Sequence, residues 1–156
     1  MTILQGLKKI KHLDRKIEKS RERISRWCSY LSDEEPMYNA DGVRKLLQST
    51  MDLITERNII RHAIHKTNIL VQADFQGKKV TVDELIIMTT LTIPAEIATL
   101  KLLRRKEKQY HHNKEAKVVL QYDPHERDKE IDKLEDTLDT LNVLLDNINI
   151  TTELIK

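Results

Sequence analysis

Isoleucine or leucine returns every seven residues through the first helix-sized stretch of the chain: Ile3, Ile10, Ile17, Ile24 and Leu31, with Leu7, Leu13, Trp27 and Cys28 beside them. A sustained seven-residue apolar repeat marks a helix buried along one narrow seam, coiled-coil fashion. The end of the chain carries the same device, because Ile131, Leu134, Leu138, Leu141, Leu145 and Ile148 step by threes and fours. Two such seams commit the chain to long helices. The composition excludes the main competitors: three Gly and three Pro in 156 residues leave few turns, and 4% aromatic content fills no sandwich, barrel or Rossmann core.

Between the two seams the pattern predicts further helices. The first, over 3–31, is ended by Ser32-Asp33-Glu34-Glu35-Pro36, since proline disfavours the helical conformation in the residue before it. Asp41 is placed to cap a second helix reaching about Gln72, with Val43, Leu46, Leu47, Leu53, Ile54, Ile60, Ile64 and Val71 as its apolar seam. Gln76-Gly77-Lys78-Lys79 reads as a turn and 79–81 as a short strand. Thr81-x-x-Glu84 is a capping box opening a third helix, which Pro94 kinks or restarts before it continues over 94–113. The run 118–122 is β-rich and is expected to pair with 79–82 in a small hairpin. Asp123-Pro124-x-Glu126 then supplies a cap, an N1 proline and an N3 carboxylate to start the last helix.

Charge is segregated along the chain. The first helix carries nine Lys/Arg against three acids, whereas residues 123–156 hold ten acids against four bases, in a chain with a net charge of only +2. Opposite charges flanking helical seams favour one pairing over others, so the first and last helices are expected to lie together, within a subunit or across a dimer. The expected architecture is all-α: one domain, 1–156, forming a bundle of about four long antiparallel helices with a small β-hairpin. Narrow seams bury a modest core, so a homo-oligomer is expected.

A single cysteine excludes an internal disulfide framework and makes a reducing compartment the default. Cys28, beside the first seam, is expected to pack as a small hydrophobe. No stretch approaches the ~20 apolar residues that span a bilayer, and the N-terminus lacks a secretory core, so a soluble, cytoplasmic protein with no membrane partner is expected. Richness in Ile and Lys points to an A/T-rich genome, that of a low-GC bacterium or its phage; for a phage protein the compartment is the host cytoplasm.

No P-loop, G-x-G-x-x-G or G-x-S-x-G occurs, and three scattered glycines build no phosphate-cradling loop. His62 and His65 share a helix face, but a metal site wants a third ligand and supporting partners. The i,i+4 acids of the last helix, such as Asp128/Asp132, resemble a pairing face more than a catalytic dyad. The expectation is a protein that is not an enzyme and uses no cofactor. Its most informative polar feature is a basic stripe, Lys101, Arg104, Arg105 and Lys108, at helical spacing, with Arg57, Arg61 and Asn68 on or beside the second seam. Arginine forks suit phosphate and carboxylate. These seven residues are the candidate ligand-binding set, for capture of a small anionic ligand such as a phosphorylated nucleotide signal between helices or subunits. The same stripe is also what a solvated face looks like, which leaves a structural or adaptor protein as the alternative. Nucleic acid fits poorly, because stacking aromatics are few and the net charge is small.

Three segments, Ile64-His65-Lys66-Thr67-Asn68, Val80-Thr81-Val82-Asp83-Glu84-Leu85 and Asn147-Ile148-Asn149-Ile150-Thr151-Thr152-Glu153-Leu154, taken in order, resemble the septicolysin family of small bacterial and phage proteins. Ile150 stands where that family carries tryptophan, and His65-Lys66 replaces part of its Asn motif. Pro94 is a further departure. The resemblance implies an all-helical, oligomeric fold with polar helix ends. The family name implies membrane damage, a third and weaker reading.

Overall fold

The computed structural model describes residues 1–105 and 117–155. The chain divides into two compact units, Met1–Gln72 with Ile148–Lys156, and Ala73–Asn147. Its elements are α1 (Ile3–Trp27), α2 (Ala40–Leu70), β1 (Gln72–Phe75), β2 (Lys78–Thr81), α3 (Val82–Ile87), α4 (Ile93–Lys101) and α5 (Pro124–Thr151), with a π-helical turn, Met88–Thr92, joining α3 to α4. Counting α3, the π turn and α4 as one rod, the fold is a set of four helices with one two-stranded hairpin, mostly helical as the seams require.

In the first unit α1 and α2 form a helical hairpin. Thr2 and Gln5 make a reciprocal capping box that opens α1, each satisfying a backbone N–H of the other. Asn39, not Asp41, caps α2: its side-chain oxygen accepts from the Gly42 N–H at 2.7 Å. Asp41 sits one step inside, where a negative charge favours the helix start, and it pairs with Lys45. The interface buries Ile3, Leu13 and Ile17 of α1 and Ile60 and Ile64 of α2. A polar layer interrupts it, because buried Thr50 donates to the Leu46 carbonyl and so accepts from the Ser20 hydroxyl at 2.6 Å. Gly6 is buried between α2 and the tail: a Cβ there would meet Leu154 Cδ1 at 3.1 Å and Ile64 Cδ1 at 3.2 Å.

Two expectations for α1 fail at its far end. The helix stops at Trp27, so Leu31 lies outside it and is 65% exposed, and Cys28 is exposed rather than packed. Cys28 and Leu31 lie past the last helical residue, and Ile24, the last heptad position inside the helix, is only half-buried. Within its unit α1 pairs with α2. Lys9 pairs with Glu56 at 2.7 Å and Asp14 receives Arg57 and Arg61 of α2. What the end of the chain contributes to this unit is a clasp. Thr2 and Glu153 form an antiparallel bridge, Ile3 N–H reaches Thr152 O at 3.0 Å, and Leu154 N–H reaches Met1 O at 2.9 Å.

In the second unit the hairpin turns on Gln76 (φ 50°) and Gly77 (φ 76°), the left-handed pair that a two-residue turn needs. Its strands are 72–75 and 78–81. The expected partner of 79–82, residues 118–122, forms no strand. A two-residue closure costs far less chain entropy than one spanning some forty residues, so the local partner wins. The capping box of α3 forms as expected. Val82, Leu85, Ile93 and Ile97 are buried along the α3–α4 rod, and Ile131 and Leu141 along α5. Asp123 Oδ1 accepts from His125 N–H at 2.8 Å and starts α5.

Candidate functional site

The described candidate residues belong to two different units. Arg57, Arg61 and Asn68 stand on α2 in the first unit, whereas Lys101, Arg104 and Arg105 belong to the second. Lys108 lies outside the described residues, as do Tyr110, His111 and His112. The helix expected over 94–113 ends at Lys101. The N–H groups of Leu102 and Leu103 turn back to Thr99 and Leu100, three residues away, and this tightening closes α4. Arg104 and Arg105 are exposed and outside any helix, so they share no helical face with Lys101. Lys101 points to Glu135 at 3.4 Å.

Arg57 and Arg61 do come together. Four residues apart on α2, both reach the carboxylate of Asp14, Arg57 through Nη1 at 3.0 Å and Arg61 through Nη2 at 3.5 Å. Arg57 is largely covered, and its Nε and Nη2 donate to Asn58 at 3.4 Å. Arg61 is 54% exposed. Together with Asn58, His62 and His65 it lines a recess of about 270 Å³ on α2. These four fall at i, i+3, i+4 and i+7, one stripe of a helix. The stripe is nitrogen-rich and holds no carboxylate. Asn68, one turn on, keeps its Oδ1 buried with no hydrogen-bond partner, an uncommon state for a polar atom.

A deeper cavity, about 570 Å³, adjoins this recess at His62. Its walls are Ile59, Ile60 and Ala63 of α2 with Leu154 and Ile155 of the tail, and Met1, His62 and Lys66 complete the lining. Thr67 builds that wall. Its fully buried hydroxyl donates to Ala63 O at 2.7 Å and accepts the Ile155 N–H at 2.9 Å, which pins the tail to α2. Sequence reasoning took His62 and His65 only as a metal pair and did not see this cavity, because the tail that walls it is remote in sequence. Among the described residues no three metal-ligating side chains come together, and no helix is long and apolar enough to cross a membrane.

The second unit offers a wider recess of about 610 Å³ between the hairpin and α5, where Asp74 and Asp136 offset Lys133 and leave no single charge preference. It also holds an arginine that the sequence did not single out. Arg127 donates to Leu103 O at 2.6 Å, pairs with Asp128 at 2.7 Å and lies over the Tyr122 ring at 5.6 Å. Its work is to bind the chain just past α4 to the start of α5. The Glu84 carboxyl has a lowered pKa. The Thr81 backbone N–H, and then the Thr81 hydroxyl, hold it below its ordinary value.

No curated protein matches the sequence. A crystal structure of a functionally unknown conserved protein from Corynebacterium diphtheriae has a similar fold, with a TM-score of 0.69 at 19% identity over 99% of each chain. At that identity the likeness concerns the fold alone. Residues 11–154 match a family of unknown function, DUF6847, and because the match takes in nearly the whole chain, this protein belongs to that family.

Proposed function

We propose that this protein is a non-catalytic binding protein that captures a small anionic ligand, phosphorylated or carboxylated, on the α2 stripe around Arg61. One observation carries the reading: Arg57 and Arg61 already grip a carboxylate, Asp14, while Arg61 spends one Nη on it at a long 3.5 Å and opens onto a recess lined by Asn58, His62 and His65. A guanidinium has five N–H donors in a fixed fork, so most of Arg61 remains to be satisfied by solvent or ligand. Asp14 acts as an internal stand-in for the anion. The finer form of the proposal has a nucleotide-derived signal as ligand and works in the cytoplasm of a bacterium or a phage-infected host. The kinship with septicolysins enters as a proposal on the same footing.

Calorimetric titration with inorganic phosphate and with ADP tests this. Saturable binding that weakens with salt is expected, as is loss of binding in Arg61→Glu and tighter binding in Asp14→Asn, where the internal competitor loses its charge. Arg61→Glu binding as well as the parent would overturn it.

A second reading, self-association, is favoured by the apolar end of the α1–α2 hairpin, where Trp27, Leu31, Met37, Leu47 and Met51 are exposed. It does not compete with the first, since the two use different parts of the unit.

A further inference from the structure

We infer that the ligand is an anionic amphiphile: a single alkyl or acyl chain lies in the cavity walled by Ile59, Ile60, Ala63, Leu154 and Ile155, and its charged head lies on the Arg61–His65 stripe. This rests on the anion-capture reading above and names the ligand class for it.

The juxtaposition is the argument. The recess and the cavity both take His62 into their linings, so one imidazole borders the polar site on one side and the apolar site on the other. Their linings differ in kind. The cavity offers side-chain carbon, from Ile60 at the buried end to Ile59, which is 64% exposed. The recess offers an amide, a guanidinium and two imidazoles. Lys66 adds a further nitrogen to the cavity lining, and neither lining contains an acid. At about 570 Å³ the cavity falls within the ~300–1,000 Å³ of ordinary small-molecule sites, too large for a bare phosphate and apolar where a nucleobase edge would want partners.

The wall is also built to stay in place. The tail residues Leu154 and Ile155 are fixed by backbone bonds to Met1 and to the buried Thr67 hydroxyl, so the cavity is formed before anything enters it. A preformed site loses less on ordering than one assembled around its ligand.

The test is a chain-length series on the full chain: inorganic phosphate, then butyl, octyl and dodecyl phosphate below their aggregation limits, by calorimetry. Each added methylene is expected to tighten binding by roughly two- to fourfold until the cavity is filled. Ile59→Asp, at an exposed position that should not disturb folding, is expected to flatten that dependence, and its added negative charge to weaken every member, inorganic phosphate included, by a similar factor. Arg61→Glu is expected to weaken every member of the series by a similar factor. Phosphate binding with no chain-length dependence would overturn the amphiphile inference and leave anion capture standing, whereas no binding of any member would end both. A chain-length dependence unchanged by Ile59→Asp would place the chain elsewhere and overturn it too. Binding to anionic phospholipid vesicles without binding of the soluble amphiphiles would replace it with a membrane surface.

Discussion

Two single residues carry more than their size suggests. Thr67 is fully buried and uses its hydroxyl twice, toward Ala63 O and from Ile155 N–H. Thr67→Val keeps the volume but leaves the Ile155 N–H without an acceptor, a loss of about 1–3 kcal/mol. Urea denaturation is expected to show that loss, and amide exchange at Ile155 should accelerate even where the global change is small. Thr67→Ser should behave as the parent. Glu84 makes a different case. Its carboxylate accepts from the Thr81 N–H at 2.7 Å and from the Thr81 hydroxyl at 3.0 Å, which lowers its pKa below the ordinary 4.5. A carboxyl with a depressed folded pKa contributes fully above its unfolded value, and the contribution vanishes as pH falls through the folded one. Glu84→Gln keeps the box without the charge. The difference in Tm between parent and variant should therefore be constant above the ordinary carboxylate range and shrink as pH drops below it. A difference independent of pH would show that the charge plays no part.

Among the elements, the π turn between α3 and α4 shows how burial and proline act together. Leu85 and Ile93 are both buried, eight residues apart. At about 100° per residue a straight α-helix would set them roughly 80° off a common face. The wider turn over Met88–Thr92, where Ile93 N–H bonds to Met88 O, takes up that excess. It also relieves Pro94, which has no N–H and whose ring would press on a carbonyl in the preceding α turn. Deleting Thr90 restores seven-residue spacing, within about 20° of two full turns, and should keep both residues buried. With Pro94 retained, that deletion should cost about 3 kcal/mol, because proline then sits inside a regular helix. With Pro94→Ala as well, stability should return, as read by thermal unfolding followed by circular dichroism.

The same elements mark what a sequence can and cannot disclose. The Thr81/Glu84 box and the α5 start were legible because each depends on neighbours a few residues away. Pro94 announced a break but not its kind, since the π turn answers a demand of burial and not of local propensity. Residues 118–122 had strand composition, yet the pairing went to 72–75, because a two-residue turn supplied a nearer partner. The candidate site was half legible. Arginines on α2 could be named, but their carboxylate, Asp14, comes from another helix, and the cavity wall comes from the far end of the chain. Gly6 carried a signal that went unused: a glycine next to a heptad seam, where only a missing side chain allows Ile60, Ile64 and Leu154 so near.

For the whole molecule, the balance of apolar surface decides. Among the described residues nineteen large apolar side chains are exposed and twelve hydrophobics are buried, a heavy exposure for a chain of this size. Scattered apolar residues are normal on a surface, so the distribution matters more than the number. Ser20 faces Thr50 and Asp14 faces Arg57, which brings Trp27 level with the first turns of α2 and gathers Trp27, Leu47 and Met51 at one end of the α1–α2 hairpin. The heptad pattern of α1 reaches this end, where Ile24 is only half-buried and Trp27 is exposed despite the neighbouring start of α2. A second copy of the same end is the occupant that such a pattern fits, since identical patches are self-complementary about a twofold axis. Native mass spectrometry and light scattering should therefore find a defined oligomer at micromolar concentration. Leu47→Glu with Met51→Glu, at exposed helical positions, should reduce its mass and leave helicity unchanged. A monomeric parent would mean that the exposed seam serves some other contact, and the account of α1 as a helix built to pair beyond its own hairpin would fall with it.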